Sequence, residues 1–420
     1  MLPLDVFNSL KVRMPANLAS VYTIDHVSEQ RAAESGLKPR SMATIWHAVE
    51  RLYESGAYPG IAFCLRRRGQ IVFNRTLGHA RGNGPQEPPS APRQLLTPDS
   101  PICLFSASKA VTAILAHLLA EEGGIDLDKP VAHYIPEFAA AGKSKTTVAQ
   151  VLAHRGGFPT LDLPAENLQP ELLMDWQKIV RIICEAPPTP GRKEKMSYHA
   201  VTGGFIVAEI IQRVTGKPVS DYLNRRIRKP LGMKYFTYGL EPQYRDRVAL
   251  NYEAGTKVRF PVSMILEKAL MAPMERVIEV SNSNVFMEAV IPAGNIYSTA
   301  EELSRFYQLL LNGGEWNGKQ IIQRKTIERA VQPAGSLSFD RTLNVPMLYS
   351  EGLMMGGPVS LYGPNTVGAY GHLGFLNILG WADPNREIAV SLLTTGKAVL
   401  GTHLISLVRV LTAISKHCAP

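Results

Sequence analysis

Hydrophobic and polar positions follow two different periods along this chain. Apolar residues recur every three or four positions in several stretches, a spacing typical of helices that pack on one side. These stretches lie at about 42–55, 106–122, 147–154, 172–184, 201–215, 219–227, 299–311 and 400–415. One of these helices is predicted to begin with a capping box, with Ser298 or Thr299 as the cap and Glu301 or Glu302 behind it.

Short runs of β-branched and aromatic residues predict two hairpins near opposite ends of the chain. The first runs from 61 to 73 with its turn at 68–70, and the second runs from 375 to 394 with its turn at 383–385. Between them, residues 78–93 are rich in Gly and Pro and are predicted to be a loop.

The distribution of these elements predicts an α+β protein. Two terminal hairpins can share one antiparallel sheet flanked by helices, which leaves the middle of the chain as a mostly helical second domain. We therefore predict an N-terminal arm (1–40), a sheet domain (41–96 with 291–420) and a mainly helical domain (97–290). Within the last, residues 240–290 lack a sustained period and are expected to form long loops and a lid.

Composition and charge narrow the possible partners. The chain has 420 residues, of which 45% are hydrophobic, enough for two packed domains. The formal charge is +9, but the basic residues are scattered. The basic runs at 66–68 and 225–229 lack interleaved aromatic residues and are predicted to be solvated surface. We therefore expect no nucleic-acid partner.

The cysteines and the N-terminus bear on location. Cys64, Cys103, Cys184 and Cys418 are widely separated and lack C-x-x-C spacing, which predicts free thiols in a reducing compartment. The N-terminus has no signal-peptide pattern, and no apolar run reaches the roughly 18 residues of a membrane helix. We expect a cytoplasmic protein. No group of His, Asp or Glu has metal-ligand spacing, so neither a metal nor another cofactor is expected.

The first candidate for chemistry is the stretch 105–110, Phe-Ser-Ala-Ser-Lys-Ala, at the start of a predicted helix. Ser106 and Lys109 are three residues apart, so their side chains share one helix face. A desolvated lysine can accept the proton of a serine hydroxyl, and the free N–H groups of a helix start can stabilise a negative acyl oxygen. The alternative is a capping serine beside a solvated lysine. Ser108 is adjacent to Lys109 and cannot share its face.

Two further motifs place polar side chains in defined positions. Tyr198, in the stretch 196–200, directly precedes a predicted helix; the alternative is a core tyrosine with a bonded hydroxyl. Residues 371–375, Gly-His-Leu-Gly-Phe, open the late hairpin with glycines that let a ligand approach the strand backbone. His154 and Trp381 are predicted to be packing residues.

In order and spacing, these motifs resemble the serine β-lactamase and penicillin-binding-protein superfamily, in particular its class C-like branch with the family VIII carboxylesterases. In that branch a Ser-x-x-Lys helix is followed by a tyrosine motif and then by a Lys-Thr-Gly or His-x-Gly strand. The resemblance spans about residues 42–415 and implies a β-lactamase/transpeptidase-like fold. Supporting stretches that also match the family pattern are 59–60, 152–159, 230–233 and 292–294, the last leading to 298–300.

The resemblance implies a role for each matching residue. Ser106 would be the nucleophile that forms an acyl-enzyme, and Lys109 would lie against both Ser106 and Tyr198. Tyr198 would exchange protons with the serine and the leaving group. Whether Lys109 or Tyr198 takes the first proton is left open. The backbone N–H groups of Ser106 and Phe375 would form the oxyanion hole.

Departures from the family pattern bear on the substrate. His372, Leu373 and Gly374 would contact the substrate, with His372 in a substrate-side or structural role. The β-lactamases and peptidases of the branch usually have Tyr-x-Asn, whereas Ala200 here cannot bond an amide. His372 stands where penicillin-recognising members usually carry lysine, which removes a fixed positive charge for a substrate carboxylate. Both departures favour neutral esters.

We therefore predict a serine hydrolase that cleaves small-molecule carboxylic esters through a Ser106 acyl-enzyme. Alternatives on the same site are a β-lactamase, a D-amino-acid peptidase, an amide hydrolase, and an acyltransferase or transesterase. An alternative of another class is an inactive penicillin-binding-like sensor or scaffold. Loss of one of the three core residues would favour that alternative, and the sequence retains all three.

Overall fold

The computed structural model describes residues 9–161, 170–192, 194–270 and 272–420. Its α-helices are, in chain order, α1 (Pro39–Tyr53), α2 (Ser108–Glu121), α3 (Val148–Leu152), α4 (Trp176–Glu185), α5 (Thr202–Thr215), α6 (Val219–Leu223), α7 (Val262–Leu270), α8 (Met274–Ser281), α9 (Asn284–Glu288), α10 (Ala300–Leu311), α11 (Arg324–Ala330) and α12 (His403–His417).

The strands are short except around the main sheet. They are, in chain order, β1 (Ser9–Leu10), β2 (Tyr22–Ile24), β3 (Gly60–Arg67), β4 (Gln70–Arg81), β5 (Gln94–Leu95), β6 (Ile102–Cys103), β7 (Thr237–Tyr238), β8 (Tyr252–Glu253), β9 (Gly255–Thr256), β10 (Ile296–Ser298), β11 (Glu315–Trp316), β12 (Lys319–Gln320), β13 (Ser338–Asp340), β14 (Val345–Met347), β15 (Met354–Met355), β16 (Val359–Ser360), β17 (Gly363–Pro364), β18 (Tyr370–Gly374), β19 (Ile378–Asp383), β20 (Ile388–Thr394) and β21 (Gly396–Lys397).

The main sheet is antiparallel and draws its strands from both ends of the chain. Its strand order is β15-β18-β19-β20-β3-β4-β2, and β5 pairs with β4. At its centre β20 pairs with β3, with Thr394 opposite Ile61 and Ile388 opposite Arg67. The predicted α+β fold, with one antiparallel sheet built from N- and C-terminal strands, is confirmed.

Both faces of the central strands are covered, which explains why most residues of β3 and β20 are apolar and all of them are buried. Ala62 and Cys64 of β3 belong to the core that includes α10, whereas Ile61, Phe63 and Leu65 belong to the core that includes α1 and α12. Successive residues alternate between the two cores because strand side chains point to opposite faces. The sheet therefore separates two hydrophobic cores.

Capping residues decide where two of the helices begin. Thr299 accepts the backbone N–H of Glu302, whose carboxylate accepts the N–H of Thr299 in return, so α10 has a complete capping box. Of the caps that the sequence allowed, the structure uses this pair. Thr147 and Gln150 form the same device at α3. Each box satisfies two backbone donors that would otherwise lack partners.

The late hairpin differs from the prediction in its first strand. Residues 375–377 form a turn, in which Leu376 and Asn377 have φ of 51° and 69°. β18 and β19 pair across this turn, so the predicted hairpin is the second half of a three-stranded meander. The run 375–381 resembles a strand in composition. Its first residues are apolar because the turn is buried, although the turn is not part of a strand.

The segment 240–290 contains more helix than expected. Helices α7, α8 and α9 lie where loops were predicted, and they have nine, eight and five residues. Helices this short repeat a helical pattern too few times for periodicity to be visible. The predicted loop 78–93 also begins later than expected, because β4 continues to Arg81.

The prediction that residues 66–68 are solvated surface is wrong for two of the three. Arg66 and Arg67 are buried in β3, whereas Arg68 is exposed in the turn. Arg66 pairs with Glu301 of α10 and donates from Nε to Ser304 Oγ at 3.0 Å. Arginine can be buried in a central strand when a carboxylate and hydrogen bonds satisfy it.

The predicted domain division remains a prediction, and both the arm and the region 97–290 contribute strands that pair with the predicted sheet domain. The arm 1–40 supplies β2, which pairs with β4 in the main sheet. The region 97–290 supplies β6 and β7, which flank β10 in a three-stranded sheet. Contacts between the predicted domains are therefore extensive around the start of α2.

Candidate active site

Ser106 lies in a tight 3-10 turn, Phe105–Ala107, that leads into α2. Phe105 has φ of 45°, a left-handed conformation that costs a residue with a side chain about 1–3 kcal/mol. Behind the turn, the fully buried Ser108 accepts the backbone N–H of Ile296 at 3.0 Å through its Oγ. Ser106 is partly exposed, so the turn presents its hydroxyl while the neighbouring Ser108 is engaged in packing.

Lys109 contacts Ser106 directly. Its Nζ donates to Ser106 Oγ at 2.9 Å and to the backbone oxygen of Ala293 at 2.7 Å. In the described part of the chain no carboxylate pairs with this buried amine, and burial lowers the pKa of Lys109 to about 7. At neutral pH a substantial fraction of the amine is therefore uncharged and can accept a proton from the serine.

Tyr198 reaches the same serine from the loop before α5. Its side chain interacts with Ser106, and Lys109 Nζ lies 5.2 Å from its ring centroid. Burial raises the pKa of Tyr198, the nearby hydroxyl of Ser106 opposes that rise, and the charge of Asp340 adds to it. The phenol is therefore protonated at neutral pH. The structure thus brings together Ser106, Lys109 and Tyr198, as the sequence predicted.

The backbone around Tyr198 is held by side chains and carbonyls from other segments. The N–H of Ser197 donates to the carbonyl of His154 at 2.9 Å. The N–H of Tyr198 donates to Asp340 Oδ1 at 3.1 Å, and that of His199 donates to His154 Nδ1 at 3.2 Å. Three successive donors are thus satisfied, which fixes the entry to α5.

Two contacts of this site were missed by sequence reasoning. Asp340 is fully buried, yet its neighbour Phe339 is exposed, so the pattern around it predicts a solvated turn. No feature of the sequence marks Asp340 as a partner of Tyr198. The contact of Lys109 with Ala293 had a weak indication, because residues 292–294 are one of the stretches that match the family pattern.

The end of β18 passes beside the nucleophile turn. A Cβ on Gly374 would lie 2.3 Å from the carbonyl oxygen of Leu104, so a larger residue cannot occupy this position without displacing the strand. The ring of Phe375 packs edge-on against that of Phe105 at 5.3 Å between centroids. The two predicted oxyanion donors, on Ser106 and Phe375, thus belong to adjacent segments.

His372 is fully buried in β18. Its Nδ1 bonds to the carbonyl of Leu373 at 2.8 Å, which requires a proton on Nδ1 and leaves Nε2 as an acceptor. Among the described residues Nε2 has no hydrogen-bond partner. Burial, assisted by the charge of Lys109, lowers the pKa of His372 to about 3, so the ring is neutral. It lies 6.1 Å from the ring of Tyr198, centroid to centroid.

The remaining candidates pack away from solvent. His154 lies with its ring centroid 4.7 Å from that of Tyr198, and Trp381 stacks on Tyr362 at 5.6 Å. Cys103 is buried near the carbonyl of Gly294, and burial raises the pKa of its thiol to about 12. All four cysteines are free and buried.

The described residues contain neither a metal-binding cluster nor a membrane-spanning helix. No group of three or more His, Cys, Asp or Glu side chains there could hold a metal ion. None of the helices within the described ranges is long and apolar enough to cross a membrane.

Comparisons with known proteins agree with this geometry. The family model described as Beta-lactamase matches residues 45–408. The Mycobacterium tuberculosis protein named esterase/beta-lactamase LipL is 29% identical over 399 residues, which cover 88% of this chain and 86% of LipL.

Two solved structures are similar over most of their length. A penicillin-binding-protein homologue from Caulobacter crescentus has a TM-score of 0.75 and 26% identity, covering 91% of this chain and 98% of the homologue. A family VIII carboxylesterase has the same TM-score and identity, covering 89% of this chain and 97% of the esterase.

Proposed function

Because the chain belongs to the beta-lactamase family of serine hydrolases, we propose that it hydrolyses carboxylic esters through an acyl-enzyme on Ser106. The observation that carries the proposal is the position of the Ser106 hydroxyl beside a proton acceptor, the Lys109 amine, and a proton donor, the Tyr198 phenol. Lys109 Nζ lies 2.9 Å from Ser106 Oγ, and the side chain of Tyr198 interacts with the same serine. Such a set supplies a nucleophile, a base and an acid.

We assign the first proton transfer to Lys109. Its uncharged amine takes the proton of Ser106 as Oγ attacks the ester carbonyl carbon, and the carbonyl oxygen becomes an oxyanion beside the N–H groups of Ser106 and Phe375. Tyr198 then gives its proton to the departing alkoxide, and the lysine ammonium restores the proton of the phenol. The products are an alcohol and an ester of Ser106.

Water completes the cycle by the reverse sequence. Tyr198 first passes its proton to Lys109, and the resulting tyrosinate takes a proton from a water molecule as the water oxygen attacks the acyl carbon of the Ser106 ester. The ammonium of Lys109 then supplies the proton that Ser106 Oγ needs to leave. The carboxylic acid leaves as Ser106 regains its proton, which returns the enzyme to its starting state. Lys109 and Tyr198 thus exchange roles between the two halves of the reaction.

Two residues support ester rather than amide or β-lactam substrates. His372 is neutral, because burial lowers its pKa to about 3, so it offers no fixed positive charge to a substrate carboxylate. Ala200 provides no side-chain amide for a peptide bond. The family VIII carboxylesterase and the esterase name of LipL point the same way. We extend the proposal to the cytoplasmic location that the free cysteines predict.

The nucleophile is tested by covalent labelling. A fluorophosphonate should add one label to the intact protein, and peptide mapping should place that label on Ser106. Ser106→Ala should abolish the label and the hydrolysis of p-nitrophenyl acetate. Ser108→Ala is the matched control and should keep both. Activity that survives in Ser106→Ala, or a label on another residue, would refute the proposal.

β-Lactam hydrolysis is the second candidate, because LipL carries both names. Short- and long-chain p-nitrophenyl esters, nitrocefin and a D-alanyl-D-alanine peptide should be compared with one enzyme preparation. We expect kcat/KM for the best ester to exceed that for nitrocefin on the order of 100-fold or more, because the neutral His372 gives the lactam carboxylate no fixed positive charge. The reverse ranking would favour a β-lactamase.

A further inference from the structure

The hairpin β13–β14 buries a charge and exposes apolar side chains. Phe339 and Val345 are 56% and 44% exposed, whereas Asp340 is fully buried. A surface hairpin ordinarily has the opposite pattern. A carboxylate removed from water costs several kcal/mol unless hydrogen bonds replace its hydration. The burial of Asp340 therefore requires an explanation from what it contacts.

The contacts of Asp340 divide into local bonds and bonds to other segments. Its Oδ1 accepts the N–H groups of Thr342 and Leu343 at 2.8 and 2.9 Å, which closes the turn of the hairpin. Oδ1 also accepts the N–H of Tyr198 at 3.1 Å, and Oδ2 accepts the hydroxyl of Tyr349 at 3.0 Å. Within the described residues no lysine or arginine pairs with this carboxylate, so hydrogen bonds alone stabilise it.

The hairpin holds the backbone of Tyr198 at two points. Besides the bond from Tyr198 N–H to Asp340, the N–H of Arg341 donates to the carbonyl of Met196 at 3.1 Å. Residues 196–198 are therefore clamped by two consecutive hairpin residues. The backbone nitrogen of Tyr198, which donates to Asp340, is joined through Cα to Cβ. The hydrogen bond therefore restricts the position from which the Tyr198 side chain extends.

The same carboxylate also reaches the ring of Tyr198 through two aromatic side chains. The hydroxyl of Tyr349 bonds to Asp340, and its ring centroid lies 4.7 Å from that of His154. The ring of His154 lies at the same distance from Tyr198. Asp340 thus constrains the backbone of Tyr198 directly and its ring indirectly.

We propose that Asp340 is a positioning residue for the acid–base tyrosine, holding the hydroxyl of Tyr198 within hydrogen-bond reach of Ser106. The proposal rests on the function proposed above, because Asp340 acts on the reaction through Tyr198 alone. A displacement of about 1 Å at a reacting group can cost on the order of 100-fold in rate. A buried carboxylate that removes such freedom has a kinetic effect large enough to measure.

The charge of Asp340 supports the role of Tyr198 as an acid, just as its hydrogen bonds support the position of Tyr198. Among the described residues, the titratable side chains near Tyr198 include Lys109, His154, His199, His372 and Tyr349. Burial lowers the pKa values of His154 and His372, so both are neutral. Burial also raises the pKa of Tyr198, and the charge of Asp340 adds a smaller increase. Asp340 therefore favours the protonated phenol that the leaving group requires.

The test is a double-mutant cycle with Tyr198→Phe. Asp340→Ala should lower kcat on p-nitrophenyl acetate by about 10- to 100-fold with little change in KM. Asp340→Asn should retain most of kcat, because its amide oxygen can still accept the N–H of Tyr198. In the Tyr198→Phe background, Asp340→Ala should cost no more than about 2-fold, since the hydroxyl that Asp340 positions is gone.

The matched control is Asp383→Ala, which removes another fully buried carboxylate, one that pairs with Arg386 at 2.7 Å. Its effect should be the same in both backgrounds. Equal losses from Asp340→Ala in both backgrounds would show a merely structural role and overturn the proposal. If Asp340→Ala does not fold, Asp340→Ser takes its place with the same expected coupling. Labelling of Ser106 by the fluorophosphonate is measured separately. Absence of that label would refute the hydrolase proposal, whereas a labelled Ser106 with equal losses in both backgrounds would refute only the role of Asp340.

Discussion

At the scale of single residues, burial does most to prepare the site for catalysis. It lowers the pKa of Lys109 to about 7 and raises that of Tyr198, so the amine becomes a base and the phenol remains an acid. These are opposite changes in two side chains that contact one serine. Environments that shift neighbouring pKa values in opposite directions define acid and base roles.

The lowered pKa of Lys109 predicts a pH dependence. The free amine predominates above about pH 7, so kcat/KM for an uncharged ester should be low in acid, rise through about pH 7 and then level off. Initial rates from pH 5 to 9 would measure this limb, with Lys109→Met expected to be inactive. Lys397 is a suitable control because burial also lowers its pKa to about 7. Lys397→Met should leave the limb in place, and a limb that disappears in this variant would contradict the assignment.

Some residues of the candidate site could be predicted from the sequence, and others could not. The spacing of Ser106 and Lys109 placed them on one helix face, and the order of the motifs, which resembles that of the family, assigned their roles and that of Tyr198. Asp340 could not, because it bonds to a residue 142 positions away from an exposed hairpin. A contact of that separation is set by tertiary packing, and no local pattern records it.

At the scale of elements, the approach of β18 to the nucleophile turn matters most. Helices with capping boxes and long apolar stripes were predictable, as α10 illustrates. The turn 375–377 was not, because two of its three residues are apolar and its conformation depends on the neighbouring chain. The short helices of 240–290 escaped detection because one or two turns do not establish a period.

The close approach of β18 predicts the effect of enlarging Gly374. Gly374→Ala would place a Cβ 2.3 Å from the carbonyl oxygen of Leu104 and push the strand away, together with the N–H of Phe375. Loss of one oxyanion donor lowers kcat by about 100- to 1,000-fold, so steady-state kinetics should show a fall in kcat larger than any change in KM. Gly357→Ala is the control, since its nearest neighbour would be 3.7 Å away. A fully active Gly374→Ala would exclude Phe375 as a donor.

At the scale of the whole molecule, buried ionic contacts connect the sheet to its helices. Glu301 of α10 pairs with Arg66 of β3 and with Arg305 on its own helix. The side chains of Arg66 and Glu301 are only 6% and 14% exposed. The sequence could not predict this contact, because a triple-arginine run beside a turn is ordinarily solvated. The partner lies on a helix more than half the chain away.

Removal of the buried carboxylate should be costly. Glu301→Gln leaves Arg66 buried without its charge partner, which should lower the free energy of unfolding by about 3–5 kcal/mol. Glu387→Gln removes the partner of the exposed Arg68 and should cost no more than about 1 kcal/mol. Urea denaturation of both variants would measure the difference. Equal losses in the free energy of unfolding would mean that burial does not make the Arg66–Glu301 pair more important for stability than the exposed pair.

The pairing of β3 with β20 has a consequence for biosynthesis. Ser106 and Tyr198 leave the ribosome well before Phe375. β3 can pair with β4 early, but its other neighbour, β20, is absent until residues 388–394 have been translated. A nascent polypeptide therefore carries its reactive serine for most of translation beside an unfinished sheet. Hydrolytic competence should arise abruptly with the last strands, and a stop codon before them should release an inert chain.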